Sequence, residues 1–319
     1  MLVLLITAIG VGNTAYEVGN LSGAALGLAL VAEQLTPLAK NWPIGVFQGL
    51  LGLTVALLLV LGNMRQLEKR VLFLVALLAL AFIGTAVALQ PAPAALARGL
   101  IPRIESDSFL VLSLLGTTVV PYNLFLHSGL VRERYPEGVQ ARWVRRDLAQ
   151  ALLLGGLISM AIVITGAGSG LVGLRHWSDL AEGLRPLLGT WAPLAVGLGI
   201  LAAGLSSALT AAFAGAYVVC SLLHWSTALR GLPMRGLMAL IVGLATWIGW
   251  MGWDLFQLIA LAQFTNALLL PLLSFGLWHL IRQSQTAGPF FRWLLLFFAS
   301  LSLLLSGKGL WTLWQQLMG

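Results

Sequence analysis

A chain of 319 residues with 59% hydrophobic and only 9% charged residues, and a mean hydropathy of +0.93, is excluded from the ordinary water-soluble domains, in which about 25% of residues are charged. Its formal charge of +7 does not point to nucleic acid, because the basic residues lie in short connections between apolar runs rather than in one stripe interleaved with aromatics. The single cysteine, Cys220, gives no disulfide framework and reads as a small buried packing residue.

In chain order, nine apolar runs near or above the roughly 20 residues needed to cross a bilayer as a helix are expected at about 2–32, 43–62, 71–89, 108–131, 148–168, 192–223, 236–253, 255–281 and 290–306. Runs such as Leu152 to Leu154 and Leu294 to Phe298 do not alternate, which excludes the strands of a β-barrel. The longest connections, Gln90 to Asp107 and Arg132 to Arg146, are too short to fold alone. The expectation is an all-α polytopic membrane protein, with residues 1–319 forming one transmembrane domain. If the spans alternate, twelve of the 18 Lys and Arg residues fall on one side, which the positive-inside rule makes cytoplasmic. Met1 then starts inside and the C-terminus ends outside.

The first span begins at residue 2 without a basic leader or a small-residue cleavage pattern, so it does not resemble a secretory signal. Within it Asn13, Tyr16, Glu17 and Asn20 recur at i, i+3, i+4 and i+7 and share one helical face. That face is either a hydrogen-bonding seam between helices or a carboxylate lining an ion or proton path.

The fourth span holds Thr117, Thr118, Pro121, Asn123 and His127. Pro121 lacks an N–H and clashes with the preceding turn, so a broken helix is expected there, with freed carbonyls able to coordinate a cation. Asp147 is placed to cap the fifth span, and Pro193 sits in the first turn of the sixth. The sixth is rich in small residues, Ala202, Ala203, Gly204, Ser206, Ser207, Ala208, Ala211, Ala214 and Gly215, which suits close packing at the centre of a bundle. The eighth carries Gln257, Gln263, Thr265, Asn266 and Pro271, whose amide oxygens suit a hard or borderline cation or serve as glue between helices. His176, His224 and His279 stand at span ends and read as interfacial. No HExxH, CxxC, P-loop or Rossmann pattern occurs, so no motif supports an enzyme.

The stretch Val120-Pro121-Tyr122-Asn123-Leu124-Phe125-Leu126-His127-Ser128 resembles the M-P-H-N-x-x-L-H-S break in the sixth helix of the Nramp (natural resistance-associated macrophage protein) family of proton-coupled divalent metal transporters. Gly204, Ser206, Ser207, Thr210, Ala214 and Gly215 resemble its eighth helix, and Glu17-Val18 its third. The resemblance implies a LeuT-type architecture of two inverted five-helix repeats. It also implies that the nine spans correspond to the family's eleven less the first two, so that the first helix's Asp and Asn metal ligands are not in this chain. It implies a divalent cation, of the Mn²⁺ and Fe²⁺ class, as transported substrate rather than resident cofactor, held near Thr117, Val120, Pro121, Tyr122, Asn123, Gln263 and Asn266. It further implies a proton route through Glu17, His127 and Arg235, helix packing at Gly204, Ser206, Ser207, Thr210 and Gly215, and a multi-pass location in a bacterial inner membrane.

Three positions depart from the family pattern. Val120 replaces the Met whose thioether favours soft metals, Tyr122 replaces the first His, and Thr14 stands where the third helix carries an Asp. A harder ion such as Mg²⁺ is then an alternative substrate. Three other readings of the chain are a non-transporting membrane protein that modulates a full-length partner, an intramembrane hydrolase using Ser206 or Ser207, and an amino-acid transporter of the same architecture.

Overall fold

A computed structural model describes residues 2–61, 64–99, 126–129, 131, 141–168, 178–252, 270–279, 281–283 and 288–318. Among the described residues the chain is helical, with no strand. Helix α1 spans Leu2–Leu35 and is followed by a 3-10 turn, Pro37–Asn41. Then come α2 (Ile44–Leu61), α3 (Met64–Ala88) and the short α4 (Pro93–Gly99). Residues 126–129 are helical. Helices α5 (Ala141–Gly168), α6 (Ser178–Leu188), α7 (Ala192–Leu222) and α8 (Leu232–Trp250) follow, with a 3-10 turn at Gly189–Trp191 joining α6 to α7. Residues 270–279 and 281–283 are again helical, and α9 (Pro289–Met318) comes last.

The first, second, third, fifth, sixth, seventh and ninth expected spans fall on α1, α2, α3, α5, α7, α8 and α9. Most of the fourth and eighth lies outside the described residues. Helix ends differ from expectation where charged residues continue a helix. Helix α3 begins at Met64 and takes in Arg65, Lys69 and Arg70, and α5 begins at Ala141. Asp147 is therefore two turns inside α5 and not its cap. Arg and Lys are good helix formers, and a helix runs on past its apolar stretch where its end meets water. Pro193 does sit at the start of α7. Two helices occupy segments expected to be loops, α4 and the amphipathic α6.

Small residues decide how the helices meet. An added Cβ on Gly204 would lie 2.7 Å from Ala24 Cβ and 2.7 Å from the Asn20 carbonyl oxygen, and one on Gly27 would lie 2.7 Å from the Gly197 carbonyl. Gly215 likewise abuts Asn13. These contacts step in opposite directions along α1 and α7, so the two helices are antiparallel, and no other pair of described elements packs as extensively. Helix α8 runs parallel to α1, with Ile241 at the level of Asn13 and Gly249 beside Ser22. Helix α2 is antiparallel to α8, since Gly45 meets Trp250 and Gly52 meets Thr246. Leu21, Val55, Leu59, Met234, Met238 and Val242 fill the space among these four helices.

Helix α3 packs on the far side of α7, where Gly199 abuts Leu78. Phe82, Ala181, Leu184 and Val196 join α3, α6 and α7 in a second core. The Thr165 hydroxyl of α5 donates to the Phe82 carbonyl at 3.3 Å, which ties α5 to α3. Ala161 and Ile164 of α5 join the second core, but Leu152, Leu153, Leu154, Leu157 and Val163 are all exposed. A continuous apolar face of this kind suits lipid rather than water.

A polar seam between α1 and α7

The residues singled out on α1 lie on the face that α7 covers. Asn13 and Glu17 are 1% and 0% exposed. The Asn13 amide donates from Nδ2 to the Ala211 carbonyl of α7 at 3.1 Å. Asn20 donates from Nδ2 to Glu17 Oε2 at 3.4 Å. Asn13 Oδ1 and Glu17 Oε1 have no hydrogen-bond partner among the described residues. The seam is therefore partly a structural tie, at Asn13, and partly an enclosed carboxyl group whose second oxygen is unmatched. An enclosed carboxylate without a cation or a full set of donors is costly, which marks it as a functional group.

Thr14, at the position where the family pattern has an acid, turns back on its own helix and donates to the Gly10 carbonyl at 2.8 Å. Tyr16 faces the segment 126–129: Leu126 is buried in a cluster with Ala211 and Ala214, against which Tyr16, Phe213 and Tyr217 pack. His127 follows on an exposed face of that segment. Glu17 and His127 thus lie on neighbouring elements, one enclosed and one open. Arg235 sits in the first turn of α8, half-buried, with its Nε unmatched among the described residues. The parallel register of α1 and α8 puts Glu17 near the level of Ala245, ten residues or roughly 15 Å along the axis from Arg235. The structure does not bring those two side chains together.

On α7, Gly204 and Gly215 make the close approaches described above. Ser206 and Ser207 are half-buried. Thr210 is exposed and donates to the Ser206 carbonyl of its own helix at 2.9 Å, so it bonds within α7 rather than across to a neighbour. Thr117, Val120, Pro121, Tyr122, Asn123, Gln263 and Asn266 lie outside the described residues. Among the described residues no group of three His, Cys, Asp or Glu side chains is gathered.

One buried polar pair is not foreshadowed by the sequence reading. Ser22 and Gln48 both face Gly249, and Ser22 Oγ and Gln48 Nε2 have no hydrogen-bond partner among the described residues. Gln48 is a polar residue in the apolar run of α2 and could have been noticed on that ground. His224, read as interfacial, stands just past the end of α7 with φ +56. There the Trp225 N–H bonds the Cys220 carbonyl at 2.8 Å and the His224 N–H the Ser221 carbonyl at 3.3 Å. This is a Schellman cap with His in the place usually held by Gly.

Comparison with known proteins gives this geometry a context. The pattern of the Nramp family, described as natural resistance-associated macrophage protein-like, matches residues 1–315. The chain is 31% identical over 314 residues to a divalent metal cation transporter MntH of Nostoc sp., covering 92% of this chain and 70% of that protein. It is 33% identical over 297 residues to MntH 1 of Pseudomonas aeruginosa, covering 86% and 64%. It is 28% identical over 264 residues to MntH of Mycobacterium tuberculosis, covering 78% of this chain. The chain spans 58% of the length of that mycobacterial relative. With a family match along nearly its whole length and described residues that form apolar, lipid-suited helices, the chain belongs to the Nramp family of membrane proteins.

Proposed function

We propose that the chain carries out secondary transport of a divalent metal cation across a bacterial plasma membrane, coupled to protons. The observation that carries this reading is Glu17, wholly enclosed between α1 and α7 with a single amide on one oxygen, in a chain whose relatives are named divalent metal cation transporters. A carboxyl group whose surroundings alternate between dry and wet exchanges a proton as they change. Such a group, on a helix packed against the segment that carries His127, can tie proton movement to the movement of a neighbouring helix.

In this reading the cation is held where the fourth span breaks at Pro121, by the Thr117 carbonyl and by groups around Tyr122 and Asn123, with Gln263 or Asn266 completing the oxygen set. Val120 adds no soft donor, so the site favours oxygen-loving ions more than a Met-bearing one does. Alternating access comes from rocking of the broken helices against the rigid unit of α1, α2, α7 and α8.

The test is Mn²⁺ and Mg²⁺ entry into proteoliposomes that contain the full chain, followed with a metal-quenched dye trapped inside. Saturable entry above that of empty liposomes is expected. Entry no faster than in empty liposomes for either ion would overturn the reading.

A further inference from the structure

A cleft of about 1220 Å³ opens beside the inner end of α7, lined by Ser128, Gly129, Phe213, Tyr217, Ser221 and Trp225 and continued by residues 226–229. Arg230 and Arg235 follow directly in the chain, so by the positive-inside rule this mouth faces the cytoplasm. Hydroxyls of Ser128, Tyr217, Ser221, Ser226 and Thr227 ring it, with no acid or basic side chain among its described lining residues. A space that holds tens of waters, at about 30 Å³ each, accepts an ion with its hydration shell. Neutral hydroxyls support that shell without binding the ion too firmly to release it.

Among the described residues, two contacts of one short segment close the deep end of the cleft. Leu126 and Gly129 are three residues apart and share a helical face. Leu126 fills the notch between Ala211 and Ala214. Gly129 lies directly against the Tyr217 ring, so that an added Cβ would stand 2.7 Å from Tyr217 Oη and 2.8 Å from Cε1. The ring is braced from behind by Phe213, at 6.0 Å between centroids. Beyond these contacts lie Tyr16 and the polar seam.

We propose that the contact of Tyr217 with Gly129 is the inner gate of the cation path, closed in this structure and opened when the segment carrying His127 lifts from α7. This rests on the transporter reading. It adds to that reading a named pair of residues and the requirement that residue 129 carry no side chain. An extra methyl group at Gly129 forces the segment outward, and truncation of Tyr217 empties the same place. Either change should unseal the route past Leu126.

The test uses thiol labelling. With Cys220, the single cysteine of the sequence, replaced by Ser, a reporter cysteine is placed at Ala214 behind the gate or at Ser128 in the cleft. A membrane-impermeant thiol reagent is then applied to inside-out vesicles. Ala214→Cys should react slowly and Ser128→Cys fast. Gly129→Ala or Tyr217→Ala should each raise the Ala214→Cys rate about tenfold, the scale expected of overpacking or emptying one contact. Gly129→Ala should add little once Tyr217 is Ala. Equal rates for the two reporters with Gly129 and Tyr217 both intact, no acceleration by either substitution, or independent effects of the two would each overturn the gate. Variants are compared only where they elute as monodisperse protein, and either single substitution suffices. Mn²⁺ entry into the same vesicles reports separately on the transporter reading.

Discussion

Gly204 is a position at which α1 and α7 tolerate little, because its neighbours are the Asn20 carbonyl and Ala24, backbone and methyl that cannot swing away. Gly204→Val should destabilise the protein by about 1–3 kcal/mol through overpacking, read as a lower midpoint of thermal unfolding in detergent. A midpoint equal to the parent's would mean that the helices stand further apart than described. His224 makes the opposite prediction. Its positive φ of 56° costs an L-residue about 1–2 kcal/mol, of which Gly would recover part after its own entropic loss, so His224→Gly should stabilise by about 0.5–1 kcal/mol. Unchanged or lowered stability would show that the imidazole makes contacts worth more than the strain. Asn13 and Glu17 were visible because polar groups in an apolar run are rare. The partner of Asn13 was not, because a backbone carbonyl such as that of Ala211 has no letter of its own.

Among whole elements, α5 presents much apolar surface to lipid, since its Leu152 to Leu154 and Val163 lie bare while, among the described elements, it packs chiefly on α3 and also on α6. Leu153→Arg should therefore cost about 2.5–3.5 kcal/mol in an insertion assay with glycosylation reporters, whereas loss of insertion should be slight for Leu153→Ala. An arginine accepted at no cost would place residue 153 against a wet cavity and not lipid. Long apolar runs made seven of the helices legible, because a bilayer leaves a helix few other ways to satisfy its backbone. Helix α6 is hidden in the sequence for the converse reason. Its polar residues and Gly183 lower the mean hydropathy, and only the spacing of Ala181, Leu184 and Leu188 announces the face that docks on α3 and α7. The run of basic residues before Asp147 looked like a loop, yet residues of that kind lengthen a helix where it leaves the bilayer.

For the molecule as a whole, helices α1, α2, α3, α5, α6, α7 and α8 build one scaffold in which α7 is central, touching α1, α2, α3, α6 and α8. Exposed Trp42, Trp191 and Trp250 mark one end of it, and exposed Trp143 and Trp225 the other, as expected of rings at the two membrane interfaces. Helices α1, α2, α7 and α8 meet through glycine contacts on both sides of the polar seam. Glu17 lies inside this group, with the segment 126–129 on its flank. The central claim is that this carboxyl group couples protons to metal movement. The direct test compares Mn²⁺ entry into proteoliposomes of the parent chain and of Glu17→Gln, which keeps the volume and the Asn20 bond, with and without an inward proton gradient. The account predicts that the gradient accelerates entry by the parent, and that entry by Glu17→Gln is indifferent to it although the variant remains folded. An equal response to the gradient in both proteins would contradict it.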